Sequence, residues 1–172
     1  MELRVWLEHS VDISVPHATI PGVPGIDEDG GALMWSRVLS YPRGPWLLHG
    51  HLEQTAEVEP VMLYHQSGAP VNYAFGMKPL GFWWVFPEHS PITVSFGVAA
   101  GALVARRDLP PDTLEFDWAA NGGMIFRFNR VRGAPSLAVD FAHISNGDLA
   151  RRNPSINYVR FRIGFRVLRW PK

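Results

Sequence analysis

The stretch Ile156-Asn-Tyr-Val-Arg-Phe-Arg-Ile-Gly-Phe-Arg-Val-Leu-Arg169 decides how the rest of the chain is read. Val159, Phe161, Ile163, Phe165 and Val167 share one parity, and Arg160, Arg162 and Arg166 share the other. Successive side chains of a strand point to opposite faces, so this is a strand with an apolar face and an arginine face. The same period returns upstream. Leu114, Phe116, Trp118, Met124, Phe126 and Phe128 alternate with Glu115, Asp117, Asn121, Arg127 and Asn129. Leu48, Leu52, Val58, Met62 and Tyr64 stand opposite His49, His51, Glu53, Glu57 and Glu59.

Extended along the chain, this period predicts eight strands, at about 3–13, 32–40, 46–64, 71–86, 92–105, 114–128, 136–146 and 156–169. Pro16 to Gly31 is expected to be a loop, Tyr41-Pro-Arg-Gly-Pro45 a tight turn, and Pro79 the place of a bulge or phase shift. A chain of 172 residues fits one domain, so residues 1–172 are expected to form a single β-barrel domain. Hydrophobic residues make up 47% of the chain, which excludes disorder. No run reaches the roughly 18–20 apolar residues of a membrane-spanning helix. Sixteen Lys and Arg balance sixteen Asp and Glu, so no net field recruits nucleic acid. Cysteine is absent, which removes disulfides and thiolate chemistry. Met1-Glu2-Leu3-Arg4-Val5 lacks the pattern of a signal peptide, so an export signal is expected upstream of Met1 or already removed.

Two barrels satisfy the alternation. A soluble lipid-carrying barrel puts its apolar face inside. An outer-membrane barrel puts it outside and fills its interior with polar groups. Long strands, an even strand count, and Tyr41, Trp46, Tyr64, Tyr73 and Trp170 near strand ends favour the second. So does the face Thr93, Ser95, Gly97, Ala99, Gly101, which suits a crowded interior better than water. The expected fold is therefore all-β, an eight-stranded antiparallel up-and-down outer-membrane barrel with Glu and Arg paired inside. Connections after strands 1, 3, 5 and 7 are expected to be longer than those after 2, 4 and 6, which would make them the external loops.

The densest polar signal is Phe141-Ala-His143-Ile-Ser145-Asn146-Gly147, followed by Asn153-Pro154-Ser155-Ile156-Asn157. His143 and Ser145 lie two apart on a strand, about 7 Å between backbones, and share a face with Leu137, Val139 and Phe141. A hydroxyl beside an imidazole is the pairing that activates a serine nucleophile. If residue 145 pairs with 155, residue 143 pairs with 157, and His143, Ser145 and Asn157 converge on the apolar face. Asn146 and the Gly147 backbone are candidate oxyanion donors. His-x-Ser alone is also a common chance pattern, and Asn-Gly and Asn-Pro are ordinary turn signals.

His-Ile-Ser-Asn-Gly, followed after five residues by Asn-Pro-Ser-Ile-Asn, resembles the signature of the PagL-type lipid A 3-O-deacylase (acyloxyacyl hydrolase-like) family. Gly76-Met77-Lys78-Pro79-Leu80-Gly81-Phe82 and Glu57-Val-Glu-Pro-Val61 are similar to that family's middle strands, extending the resemblance over about residues 32–170. The resemblance implies a bacterial outer-membrane barrel that hydrolyses an ester-linked acyl chain of lipid A, with its active site on the outside of the wall. It implies Ser145 as nucleophile, His143 as general base, Asn146 as an oxyanion donor, and no metal or cofactor. Lipid A, lipopolysaccharide and membrane lipids are the implied partners, with a homo-oligomer or a membrane complex also open. The family's third member, a Glu fourteen residues after the His, is replaced here by Asn157. An Asn can orient a histidine but does not offset imidazolium charge. The second reading is accordingly a catalytically inactive barrel of this family, acting as a structural or lipid-binding membrane subunit.

Other groups carry weaker chemistry. His49-x-His51-x-Glu53 has zinc-like spacing, against the reading of an interior ladder facing Arg160 and Arg162. Arg106, Arg107, Arg151 and Arg152 fall in expected external loops, as phosphate contacts or as solvated charges. Phe82-Trp83-Trp84 reads as wall packing.

Overall fold

The computed structural model describes residues 1–13, 25–45, 48–87, 91–111, 113–151 and 155–170. Eight strands form in chain order: β1 (Glu2–Asp12), β2 (Ile26–Val38), β3 (His51–Gln66), β4 (Asn72–Val85), β5 (Ile92–Ala105), β6 (Phe116–Phe128), β7 (Ser136–Ser145) and β8 (Ile156–Arg169). Each pairs antiparallel with its neighbour, and β1 pairs with β8, so the sheet closes on itself without an edge. The fold is an eight-stranded up-and-down barrel of outer-membrane type. Among the described residues, no helix is long and apolar enough to cross a membrane, as a barrel that crosses with strands requires.

The faces are inverted relative to a water-soluble barrel. Phe161 is 51% exposed while its neighbour Arg160 is 1% exposed. On β6, Phe126 lies on the outward face while Arg127 is buried. Val139, Phe141, Phe82, Val98 and Met124 also point outward and are exposed. Such a belt is costly in water and stable in lipid.

The lumen is filled by charge. Arg160 meets Glu28 at 3.0 Å, Glu59 at 2.9 Å and Glu8 at 3.8 Å. Arg162 meets Glu57 at 2.5 Å, Glu8 at 3.0 Å and Asp140 at 3.4 Å, with its guanidinium 4.9 Å from the centre of the Trp6 ring. Lys78 bonds both Glu57 and Glu59. Lower down, Arg4 bonds Glu2 at 2.9 Å and Ser136 at 2.8 Å. Room for these long side chains comes from β5, whose inward residues Thr93, Ser95, Gly97, Ala99 and Gly101 are small, and from Gly164, which lies under Trp6. Apolar clusters cap the network at both ends, including Tyr64, Tyr158, Leu103 and Leu109 at one and Trp6, Met34, Trp83 and Val85 at the other.

Several boundaries differ from the sequence expectation. Residues 26–31, expected to be loop, are the start of β2, paired with both β1 and β3. Strand β3 begins at His51 rather than at 46, which makes 39–50 one of the longer connections. The connection 67–71 after β3 is the shortest, so loop length does not separate the two ends as expected. Met62 and Tyr64 face inward rather than outward. The β3–β4 register shifts between Glu59 and Met62, around Pro60, which has no N–H for the ladder, and the extra residue reverses the faces beyond it. The bulge expected at Pro79 is present between Met77 and Leu80. Tyr41, Tyr73 and Trp170 are exposed near strand ends, whereas Trp46 lies outside the described residues.

Removing one partner from a buried network leaves uncompensated charge, so Arg160→Ala should cost about 3–5 kcal/mol. The exposed Arg43→Ala should cost less than about 0.5 kcal/mol. Urea titration read by heat-modifiable gel migration measures both. Equal midpoints for the two variants would contradict a structural role for the network.

Candidate active site

Strand β7 carries Leu137, Val139, Phe141, His143 and Ser145 on its outward face, and β8 carries Asn157, Val159 and Phe161 beside them. The β7–β8 register places His143 directly opposite Asn157. His143 Nδ1 donates to Asn157 Oδ1 at 2.8 Å. An amide oxygen only accepts, so Nδ1 carries the proton and Nε2 keeps a lone pair. That is the tautomer a general base requires.

Ser145 ends β7 two residues on, half-buried and on the same face as the imidazole. Among the described residues, Ser145 Oγ has no hydrogen-bond partner, so the hydroxyl is free to turn towards the ring or towards a substrate. Catalytic hydrogen bonds are often unmade before substrate arrives. Asn146 follows immediately and is only 1% exposed, so its side chain is not presented with that of Ser145.

Beyond Ser145 the chain turns through Gly147 at φ +63° and Asp148 at φ +61°, and Leu149 N–H donates to Asn146 O at 3.2 Å. Gly147 is constrained twice. Its backbone is left-handed, and an added Cβ would lie 2.9 Å from Trp118 Cδ1. Trp118 pairs with Ser145 across β6–β7, and its ring meets Phe116 edge-on at 5.2 Å. Indole and Gly147 backbone thus pack together next to the serine. Spacing within β7 does not reveal this contact, because it depends on the β6–β7 register.

Two cavities, of about 370 and 1080 Å³, open at opposite ends of the barrel, and neither is lined by His143, Ser145 or Asn157. These three residues share the outward parity of β7 and β8. Asn153, Pro154 and Arg152 fall outside the described residues, while Arg106, Arg107 and Arg151 are exposed beyond the strand ends at the site end.

His49, His51 and Glu53 do not converge. His49 lies before β3 and reaches Gly44 O at 3.4 Å, while His51 bonds Glu53 at 3.2 Å inside the barrel. Glu53 faces Arg127 at 3.7 Å, and it is Glu57 and Glu59 that meet Arg160 and Arg162. Among the described residues, no group of three or more His, Asp or Glu is arranged to hold a metal ion. A second outward polar group was not legible in the sequence. His9 on β1 donates to Asp29 on β2 at 2.8 Å, and His65 on β3 lies 3.2 Å from the same carboxylate. The three come from distant parts of the chain and meet only through the β1–β2–β3 register.

A family model described as lipid A 3-O-deacylase (PagL) matches residues 29–166. Among solved structures, the outer membrane enzyme PagL superposes with a TM-score of 0.64 at 14% identity, covering 94% of this chain and 99% of that one. Neisserial surface protein A (NspA) superposes with a TM-score of 0.48 at 12% identity, covering 96% of each chain. No curated protein matches the chain in sequence.

The hydrogen bond from His143 predicts a single tautomer. Nitrogen-15 NMR of the labelled imidazole in its neutral form should show the proton on Nδ1, and Asn157→Leu should convert this to a mixture of tautomers. An Nε2–H imidazole in the wild type would mean that Asn157 does not orient the ring.

Proposed function

Because this chain belongs to the lipid A 3-O-deacylase (PagL) family, we propose that it is an outer-membrane esterase. It removes an ester-linked acyl chain from lipid A, with Ser145 as nucleophile and His143 as general base. The observation that carries this reading is the Asn157–His143 hydrogen bond, on the same outward face as Ser145. The ester of a lipid lies near the headgroup boundary with its chain in the leaflet. A site on the lipid-facing wall, within two residues of the ends of β7 and β8, meets it there without drawing it into a cavity.

In this mechanism Nε2 of His143 takes the proton from Ser145 Oγ as Oγ attacks the acyl carbonyl carbon. Asn157 holds the ring as it becomes imidazolium. Backbone N–H groups of the Asn146–Gly147–Asp148 turn offer donors to the developing oxyanion, and Trp118 packs behind that turn. The imidazolium then protonates the leaving sugar oxygen, which departs as a hydroxyl and leaves acyl-Ser145. Water attacks the acyl carbon, gives its proton to His143, and the fatty acid leaves as Ser145 Oγ recovers a proton. Apolar Phe141, Val139 and Phe161 flank the path of the acyl chain. No cofactor enters any step.

A carboxylate would stabilise imidazolium better than the Asn157 amide. A carboxylate offsets imidazolium charge that the amide leaves uncompensated, so Asn157→Glu should raise turnover. Purified barrel incubated with lipopolysaccharide should release a hydroxyacyl chain, read by mass spectrometry of lipid A. Ser145→Ala should abolish the release. Identical lipid profiles for wild type and Ser145→Ala would instead favour the inactive lipid-binding barrel, which the amide at position 157 supports.

A further inference from the structure

Charge on the two rims of the barrel is distributed unequally. At the end that carries both termini, Arg37, Arg43, Arg130, Arg132 and Arg169 are exposed and Arg166 is half-buried. Among the described residues, none of the six makes an ion pair, and Arg37 only donates to Gln54 at 2.9 Å. Among the described residues, the acids nearest this end, Glu2 and Glu53, are buried and taken up by Arg4, Arg127 and His51. The site end is mixed, with Asp27, Asp29, Asp108, Glu115 and Asp148 near Arg106, Arg107 and Arg151. A zero net charge thus conceals a cationic rim opposite the candidate active site.

Among the described residues these six guanidinium groups have no carboxylate partner, and like charges on one rim favour an anion among them. Their position says which kind. Arg169 follows the exposed Leu168, Arg37 precedes the exposed Val38, and Arg130 and Arg132 occupy the β6–β7 turn next to the exposed Leu137. Trp170 and Tyr41 are exposed at the same level. This is where the apolar belt ends and lipid phosphates begin. Arg37 and Arg169 also stand on the wall of the 1080 Å³ cavity that opens at this end, so part of the rim is concave. Guanidinium donors match phosphate oxygens in pairs, and a basic patch at a membrane surface favours anionic headgroups.

We propose that this rim is a binding surface for the phosphate headgroups of anionic glycerophospholipids in the leaflet opposite the active site. It rests on reading the apolar wall as membrane-spanning and is independent of whether Ser145 is catalytic. The six arginines fix the depth of the barrel, which in turn holds His143 and Ser145 at the level of the other leaflet's headgroups.

The test uses the intact barrel in neutral detergent micelles, titrated separately with phosphatidylglycerol, phosphatidylcholine and purified lipid A, with bound lipid counted by native mass spectrometry. Phosphatidylglycerol should be retained about tenfold more strongly than phosphatidylcholine, with the preference falling as salt rises. Arg130→Gln/Arg132→Gln/Arg166→Gln/Arg169→Gln should remove the preference, and the same four positions as Lys should keep most of it. Arg106→Gln/Arg107→Gln, at the other end, should leave it unchanged. Equal retention of the two phospholipids by wild type would overturn the proposal, as would loss of the preference through Arg106 and Arg107 alone. Capture of lipid A that is tighter than that of phosphatidylglycerol and is lost with the four substitutions would overturn it too. Ester hydrolysis is not read in this assay, so failure here leaves the catalytic reading standing, and the reverse also holds.

Discussion

The ion-pair network inside the barrel is the interaction on which the other features depend. Arg160 and Arg162 on β8 bind acids from β1, β2, β3 and β7, and Lys78 on β4 joins through Glu57 and Glu59. Buried charges are costly unless well paired, so the network penalises any strand register that misaligns them. A slip of one residue would turn Arg160 and Arg162 into the lipid belt and Phe161 into the lumen. The same β7–β8 register that seats Arg162 against Asp140 puts His143 opposite Asn157 on the other face. Site geometry outside the wall is therefore set by electrostatics inside it.

Much of the fold was legible because alternation survives over whole strands. Strands 92–105 and 156–169 have the bounds their sequence predicts, since Pro91 and the Arg106-Arg107-Asp108 loop bracket the first and alternation of apolar residues with arginine runs through most of the second. The errors fall where local chemistry and tertiary pairing disagree. Asp27, Asp29, Gly30 and Gly31 have poor strand propensity, and alone they read as a loop. Pairing to β1 and β3 on both sides makes them strand regardless. Unbroken alternation through Pro60 predicts Met62 and Tyr64 on the outward face, and the bulge there turns them inward. A bulge is a property of two strands, and one strand's sequence does not show on which side the extra residue lies.

The candidate site was legible to the extent that it is local. His143 and Ser145 are two apart on one strand, and Asn157 follows across one hairpin, so parity and turn signals suffice to bring them together. Trp118 and Gly147 meet through β6 and β7, and their contact depends on register. His9, Asp29 and His65 join three strands and have no sequence signature at all. The cationic rim is hidden in the sequence for another reason. Composition sums the charges of both ends and of the lumen, and that sum is zero although the rims differ.

In the proposed function, Ser145 is a nucleophile activated by His143 on the outer face of a membrane barrel. Covalent trapping tests it most directly. Folded barrel treated with a lipophilic fluorophosphonate should gain one adduct, mapped by peptide mass to Ser145, with labelling at least about tenfold slower in His143→Ala. A folded wild-type barrel that takes up no adduct at Ser145, or takes it up equally fast without His143, would contradict the account.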